Sequence, residues 1–243
     1  MSSITITALS PKEIVKRCIL AIDENYFTKD TVIHGRHRIN VYEDFCFVRQ
    51  SIRPVKITQK NKKHLLDVEW PEPDSVVMHD KSLISETFLF DHIMHNRGFM
   101  NLENLDLWEF EIAGYLDHED QALMIISANY ISNKNVFHFG KIFINPDDYG
   151  IIQIEYNYQW NDRHYIKSEI DSLYSHNSTW TGFASYKKSP SGYHLSNLKY
   201  FIKQELYNET KPLLHKKLWK TYKIRSEFSS NLNGRPSTST NLK

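Results

Sequence analysis

Polar and apolar residues alternate almost without interruption from Ile152 to Trp160. Ile152, Ile154, Tyr156, Tyr158 and Trp160 stand against Gln153, Glu155, Asn157 and Gln159. A period of two is the signature of a strand with one dry face. Trp108, Phe110 and Ile112 repeat it against Glu109 and Glu111, and the nearly continuous apolar run Ala122–Tyr130 suits a central strand. With the run that opens at His138, these segments predict four successive strands in an antiparallel meander. The link between the last two, Asn145-Pro146-Asp147-Asp148-Tyr149-Gly150, is turn chemistry, so Asp147 and Asp148 read as turn formers.

Two stretches have helical spacing instead. Ser10-Pro11-Lys12-Glu13 is a capping-box pattern with proline at the first helical position, and Ile14, Cys18, Ala21 and Ile22, flanked by Val15 and Ile19, form a stripe reaching about Tyr26. A second helix is predicted from about Ser82 to Asn96, with Gly98 as its stop. Between them, residues 31–58 read as two or three strands, with Pro54 marking an edge or a strand end. Residues 59–80, with Pro71 and Pro73, read as a long loop.

After Trp160 the pattern fades, then resumes at Ser178, where Ser189-Pro190-Ser191-Gly192 supplies a hairpin turn. A last pair of runs is expected around Lys216–Phe228. The organisation that follows is a flexible terminus over residues 1–9, one β-rich domain over 10–227, and a disordered tail over 228–243, which has almost no apolar payload.

Composition narrows the chemistry. Thirty basic residues against 29 acidic ones leave no excess that would advertise nucleic acid. The basic stretch Lys211–Arg225, interleaved with Trp219 and Tyr222, reads as a solvated face. No segment approaches the run of about 20 apolar residues that a membrane helix needs, and the first residues do not form a signal peptide. Cys18 and Cys46 are too few for a disulfide framework, and their spacing does not decide whether they pair. No phosphate loop, dinucleotide turn or nucleophile elbow is present, and no cofactor is implied.

Among 12 histidines, His92 and His95 are one helical step apart beside Asp91, which would place both imidazoles on one side. They supply two metal ligands at most. His34 and His37 would fall on opposite faces of a strand. Aromatic residues make up 13% of the chain, and such amphipathic rings can line a hollow as well as fill a core.

Five segments carry a family resemblance: PKEIVKRCILAIDENY, HGRHR, LWEFEIAGYLDHEDQALMIISA, FHFGKIFINPDDYGIIQIEY and ASYKKSPSGYHLSNLKY. Together they resemble the C-terminal part of bacterial envelope proteins known as carboxypeptidase-like regulatory domain-containing proteins. The GKIFINPDDYGIIQIEY hairpin is also similar to the strand-turn-strand of outer-membrane lipoprotein carriers of the LolA type. The resemblance implies an α+β fold, in which a curved antiparallel β-sheet forms an open half-barrel with one or two helices on its concave face. It also implies a periplasmic or outer-membrane-associated setting, whereas the absence of an export signal would by itself read as cytoplasmic.

The leading expectation is a non-enzymatic envelope protein that binds an apolar or lipid-like ligand, or a protein partner. Trp108, Phe110, Ile112, Ile152, Ile154, Tyr156, Tyr158 and Trp160 would line the site. An enzyme with a metal or acid-base site that includes His92 and His95 is one alternative. A purely structural assembly module is the other.

Overall fold

The computed structural model describes residues 9–26, 31–60, 63–68, 83–84, 87–89, 91–118, 121–132, 136–160, 166–167, 173–190, 192–209 and 216–230. Strand β1 (Thr31–Glu43), β2 (Cys46–Lys60) and β3 (Lys63–Val68) come first, followed by β4 (Trp108–His118), β5 (Gln121–Tyr130), β6 (Val136–Ile144) and β7 (Ile151–Trp160). The short β8 (Ile166–Lys167), then β9 (Leu173–Ser189), β10 (Gly192–Glu209) and β11 (Lys216–Ser230) complete the sheet. Its order is β3-β2-β1-β11-β10-β9-β7-β6-β5-β4, with β8 on β9, and every pairing is antiparallel. The sheet is open, and the expected curved sheet with helices on one face is the fold observed. The β4–β7 meander also stands as expected.

The first helix is split in two. α1 (Pro11–Leu20) starts at Ser10, whose Oγ accepts the Glu13 amide at 3.2 Å, and α2 (Ile22–Tyr26) follows after a break at Ala21. Ile14, Val15, Cys18, Ile19, Ile22 and Tyr26 form its buried face. The second predicted helix is interrupted as well. Leu83, Ile84, Thr87 and Phe88 are helical and buried, but the chain turns extended at Asp91, whose carboxylate caps the one-turn α3 (His92–His95). Asn96 then enters the left-handed region at φ 49°, ending α3 before Gly98. Short 3-10 turns over Gly98–Met100 and Leu102–Leu107 lead into β4.

Three other expectations change. Residues 63–68 of the expected loop are a strand, β3, whose pairing with β2 stops at Val55, so Pro54 lies where β2 becomes the edge. Gln59 and Lys60 belong to β2, and the rest of the expected loop, 61–62 and 69–80, lies outside the described residues. The last pair of runs is one long strand, β11, which fits between β1 and β10. Phe228, placed in the tail by composition, belongs to β11 and is fully buried over Gly35. Residues 1–8 and 231–243 are not described.

A single core runs between the helices and one face of the sheet, from Ile33, Ile39 and Ile57 through Leu198 and Phe228 to Ile126, Ile142 and Ile154. A polar staple lies within it. Thr87 Oγ1 is 2.7 Å from both Leu83 O and Ser226 Oγ, and His37 Nε2 is 3.0 Å from Ser226 Oγ. All three side chains are fully buried, so Thr87 ties the segment around Phe88 to the sheet, and the serine–histidine contact presents nothing to a substrate.

Candidate functional site: an aromatic shelf at one end of the sheet

The core is dense beneath α3. Gly140, Tyr156 and Gly182 are neighbours across β6, β7 and β9. A side chain on Gly182 would fall 1.6 Å from the Tyr156 ring, and one on Gly140 would fall 2.4 Å from Phe99. The two glycines therefore let these rings lie flat on the sheet. His92 packs on both, 5.5 Å from the Phe99 centroid and 4.6 Å from that of Tyr156.

Two residues further along the strands, the filling stops. Register brings Trp108 opposite Tyr130, His138 opposite Tyr158, and Tyr158 opposite Trp180. The rings form a continuous row: Trp108 to Tyr130 5.2 Å, Trp108 to His138 4.7 Å, His138 to Tyr158 5.2 Å and Tyr158 to Trp180 5.6 Å. Most of these contacts are edge-to-face or tilted, as ring quadrupoles favour. Trp108 is buried against Phe99, while Tyr130, His138, Tyr158 and Trp180 are half-buried. Ile202, Ile224 and Val41 prolong the row across β10, β11 and β1.

This shelf is electrically neutral over a wide pH range. Burial pushes the His138 imidazolium pKa down to about 4, and burial, with the neighbouring Tyr130, pushes the Tyr158 phenol up to about 12. An uncharged strip of ring faces and edges suits a hydrocarbon chain or an apolar side chain rather than an ion.

The residues singled out from sequence do not form one lining. Trp108 and Tyr158 belong to the shelf. Ile154 and Tyr156 are core residues, covered by the helical layer. Ile152 is displaced by a bulge opposite Ile144 that gives the fully buried place to Ile151, and strict alternation could not anticipate that extra residue. Phe110 packs against the core, and Ile112 is 43% exposed on β4, beside a bulge at Gly114. The side chain of Trp160 lies outside the described residues. Tyr130, His138 and Trp180 were missed because membership depends on cross-strand register, which no single segment displays.

His92 and His95 do not share a site. His92 is buried, with Nδ1 3.2 Å from the Arg97 carbonyl, and burial, followed by the nearby His138, drives its pKa down to about 3. His95 is exposed. Among the described residues, no three His, Cys, Asp or Glu side chains stand close enough to hold a metal ion. Cys18 and Cys46 are both free, the first buried and the second exposed.

No family model matches the sequence, and neither does any curated protein. Superposition finds similar solved structures. One is a DUF1329 family protein from Desulfovibrio piger, with 7% identity and TM-score 0.33, covering 93% of this chain and 96% of that one. Another is a LolA superfamily protein from Nitrosomonas europaea, with 7% identity and TM-score 0.30, covering 90% and 92%. A third is MucB in the MucA/MucB complex of Pseudomonas aeruginosa, with 5% identity and TM-score 0.31, covering 91% and 94%. None of these likenesses bears on function.

Proposed function

We propose that this chain is a non-enzymatic binding protein whose open half-barrel takes an apolar or lipid-like ligand on the aromatic shelf. The observation that carries the reading is the shelf itself: a row of five rings across five strands, neutral at physiological pH, four of them left half-exposed where Ala128, Gly140 and Tyr156 of the neighbouring row are buried. Half-buried rings supply contact area at small entropic cost, since each has only two torsions to fix. The periplasmic or outer-membrane setting belongs to the same proposal and rests on the sequence resemblance, as does kinship with the carboxypeptidase-like regulatory domain-containing chains.

The test is titration with the fluorescent probe N-phenylnaphthylamine and with oleate, beside mass spectrometry of lipids that co-purify. Tyr158→Ser should weaken probe binding about tenfold, the loss of one ring contact, and leave the fold intact. Saturable binding that Tyr158→Ser does not change would move the site elsewhere. A protein partner is the second reading, favoured by β4, which among the described residues pairs only with β5 and exposes Ile112, Tyr115 and Leu116.

A further inference from the structure

The β1–β2 hairpin ends in an apolar tip that the body of the protein does not use. Phe45 is 77% exposed, and Phe47 and Val48 are exposed too, although neighbouring strand residues point to opposite faces. Exposure on both faces means that the tip stands clear of the helical layer and of the sheet's other face. The backbone holds it there. Asp44 and Phe45 both have positive φ, 44° and 71°, a turn that glycine or asparagine would adopt more easily than phenylalanine. Asp44 is tied on both sides to β11, its N–H donating to Thr221 O and its carboxylate accepting the Thr221 N–H, each at 2.9 Å. The turn is thus fixed with its phenylalanine outward.

The charges around the tip identify what it fits. Lys223 sits 4.1 Å from the Phe45 ring centroid. β11 pairs with β1 as far as Tyr222, meets Asp44 at Thr221 and then continues past the tip on β10, where Glu209 stands opposite Lys216; the sequence of that continuation, Lys216–Lys220, carries three lysines and Trp219. Glu43 and Asp44 are the acids at the turn, and the Asp44 carboxylate is engaged by Thr221. Exposed aromatic rings with a lysine beside them match the interface of a bilayer, where rings enter the headgroup level and cations meet anionic lipid. The tip also lies at the same end of the sheet as the shelf, since Val41, in the shelf's row, is three residues from Asp44.

We propose that the β1–β2 hairpin tip docks the protein on an anionic phospholipid surface, with Phe45 and Phe47 inserted and Lys223 facing the headgroups. The proposal does not depend on the shelf's having a ligand.

The experiment is flotation of the full chain with vesicles of phosphatidylethanolamine containing about a third phosphatidylglycerol, compared with vesicles of phosphatidylcholine alone. The protein should float with the anionic vesicles, more weakly with the neutral ones, and less as salt rises. Phe45→Asn, which keeps a residue suited to the turn, combined with Phe47→Thr, should lower partitioning about tenfold or more. Lys223→Gln should lower it about threefold. Both variants should bind N-phenylnaphthylamine as the wild type does, which separates this result from failure of the shelf reading. No flotation with anionic vesicles, or flotation unchanged in the Phe45→Asn, Phe47→Thr variant, overturns the proposal. So does a concentration-dependent dimer that the same substitutions abolish, because the tip would then be an interface between copies.

Discussion

The two ends of the sheet solve the same packing problem in opposite ways. At the end built around the turn Asn145–Gly150, the tyrosine hydroxyls are pinned. Tyr26 Oη donates to Ile151 O at 2.5 Å and accepts from Ile151 N at 2.6 Å, Tyr186 donates to Asp91 at 2.6 Å, and Tyr193 donates to Asp148. Tyr26 stacks on Tyr193 and meets Tyr186 edge-on, and all three rings are buried. Burial would raise the Asp148 pKa, but hydrogen bonds from Lys188, the Gly150 N–H and Tyr193 more than offset it and hold the carboxyl below its ordinary value. Asn25 and Arg17 reach the same turn, at Asp148 O and Tyr149 Oη. The expected turn formers therefore also lock the helices to the sheet. At the other end, rings meet rings, half-exposed, beside a hairpin that projects Phe45. Hydrogen-bonded aromatics specify one arrangement, whereas rings held only by other rings leave a surface that can accept a guest.

The sharpest way to break this contrast is to disturb the pinned end. A methyl group on Gly150 would stand 2.4 Å from the Tyr193 ring, which Asp148 and Asn145 keep from moving aside. Gly150→Ala should cost about 3 kcal/mol in urea denaturation. Tyr193→Ala in the same chain should recover part of that loss in a double-mutant cycle. A harmless Gly150→Ala would show that the pinned end is as loose as the shelf.

Acid should separate the ends next. His138 has a folded pKa of about 4 against an ordinary 6.5. Between these values the unfolded chain binds a proton that the folded chain refuses, so the contribution is complete above pH 6.5 and is lost as pH falls towards 4. By pH 5 the loss from this one group should be about 2 kcal/mol, and His92, lower still, acts in the same sense. Denaturation curves at pH 7 and pH 5 for the wild type and His138→Phe check it. The variant should match the wild type at pH 7 and lose less by pH 5.

The legibility of the molecule divides along similar lines. The meander, the Ser10 cap and the turn at Asn145–Gly150 are local, and period and turn chemistry announce them within ten residues or so. The placement of β11 between β1 and β10 is not local, because both of its partners are distant in sequence. The lysine-rich run reads as a solvated face, and nothing local in it tells that its part from Lys216 onward is a strand with neighbours on both sides. Bulges cost the most. One extra residue at Ile151 and another near Gly114 changed which side chains of β7 and β4 are covered, and strict alternation carries no record of either. The shelf shares the first difficulty: alternation singles out Trp108 and Tyr158, but the row they belong to exists only in the register of five strands.

A smaller effect tests the pinning itself. Tyr26→Phe keeps the ring between Tyr186 and Tyr193 but removes the hydroxyl shared by Ile151 N and O, leaving a buried amide and carbonyl to find other partners. The expected loss is about 1.5 kcal/mol, with probe binding at the shelf unchanged. Weaker probe binding in that variant would mean that the ends communicate and cannot be treated as separate devices.

The smallest effect is expected at Ile112. It alternates with Trp108 and Phe110, and on sequence it has the same claim to a ligand, yet it sits exposed on β4 beyond the ring row. Ile112→Ser should shift stability by less than about 0.5 kcal/mol and leave N-phenylnaphthylamine binding as it was, while Tyr158→Ser weakens binding. If both substitutions weakened binding alike, the ligand would extend along β4 towards its edge. The half-exposed rings would then be one wall of a larger site, and the difference between the two ends would lie in what covers them rather than in how their rings are held.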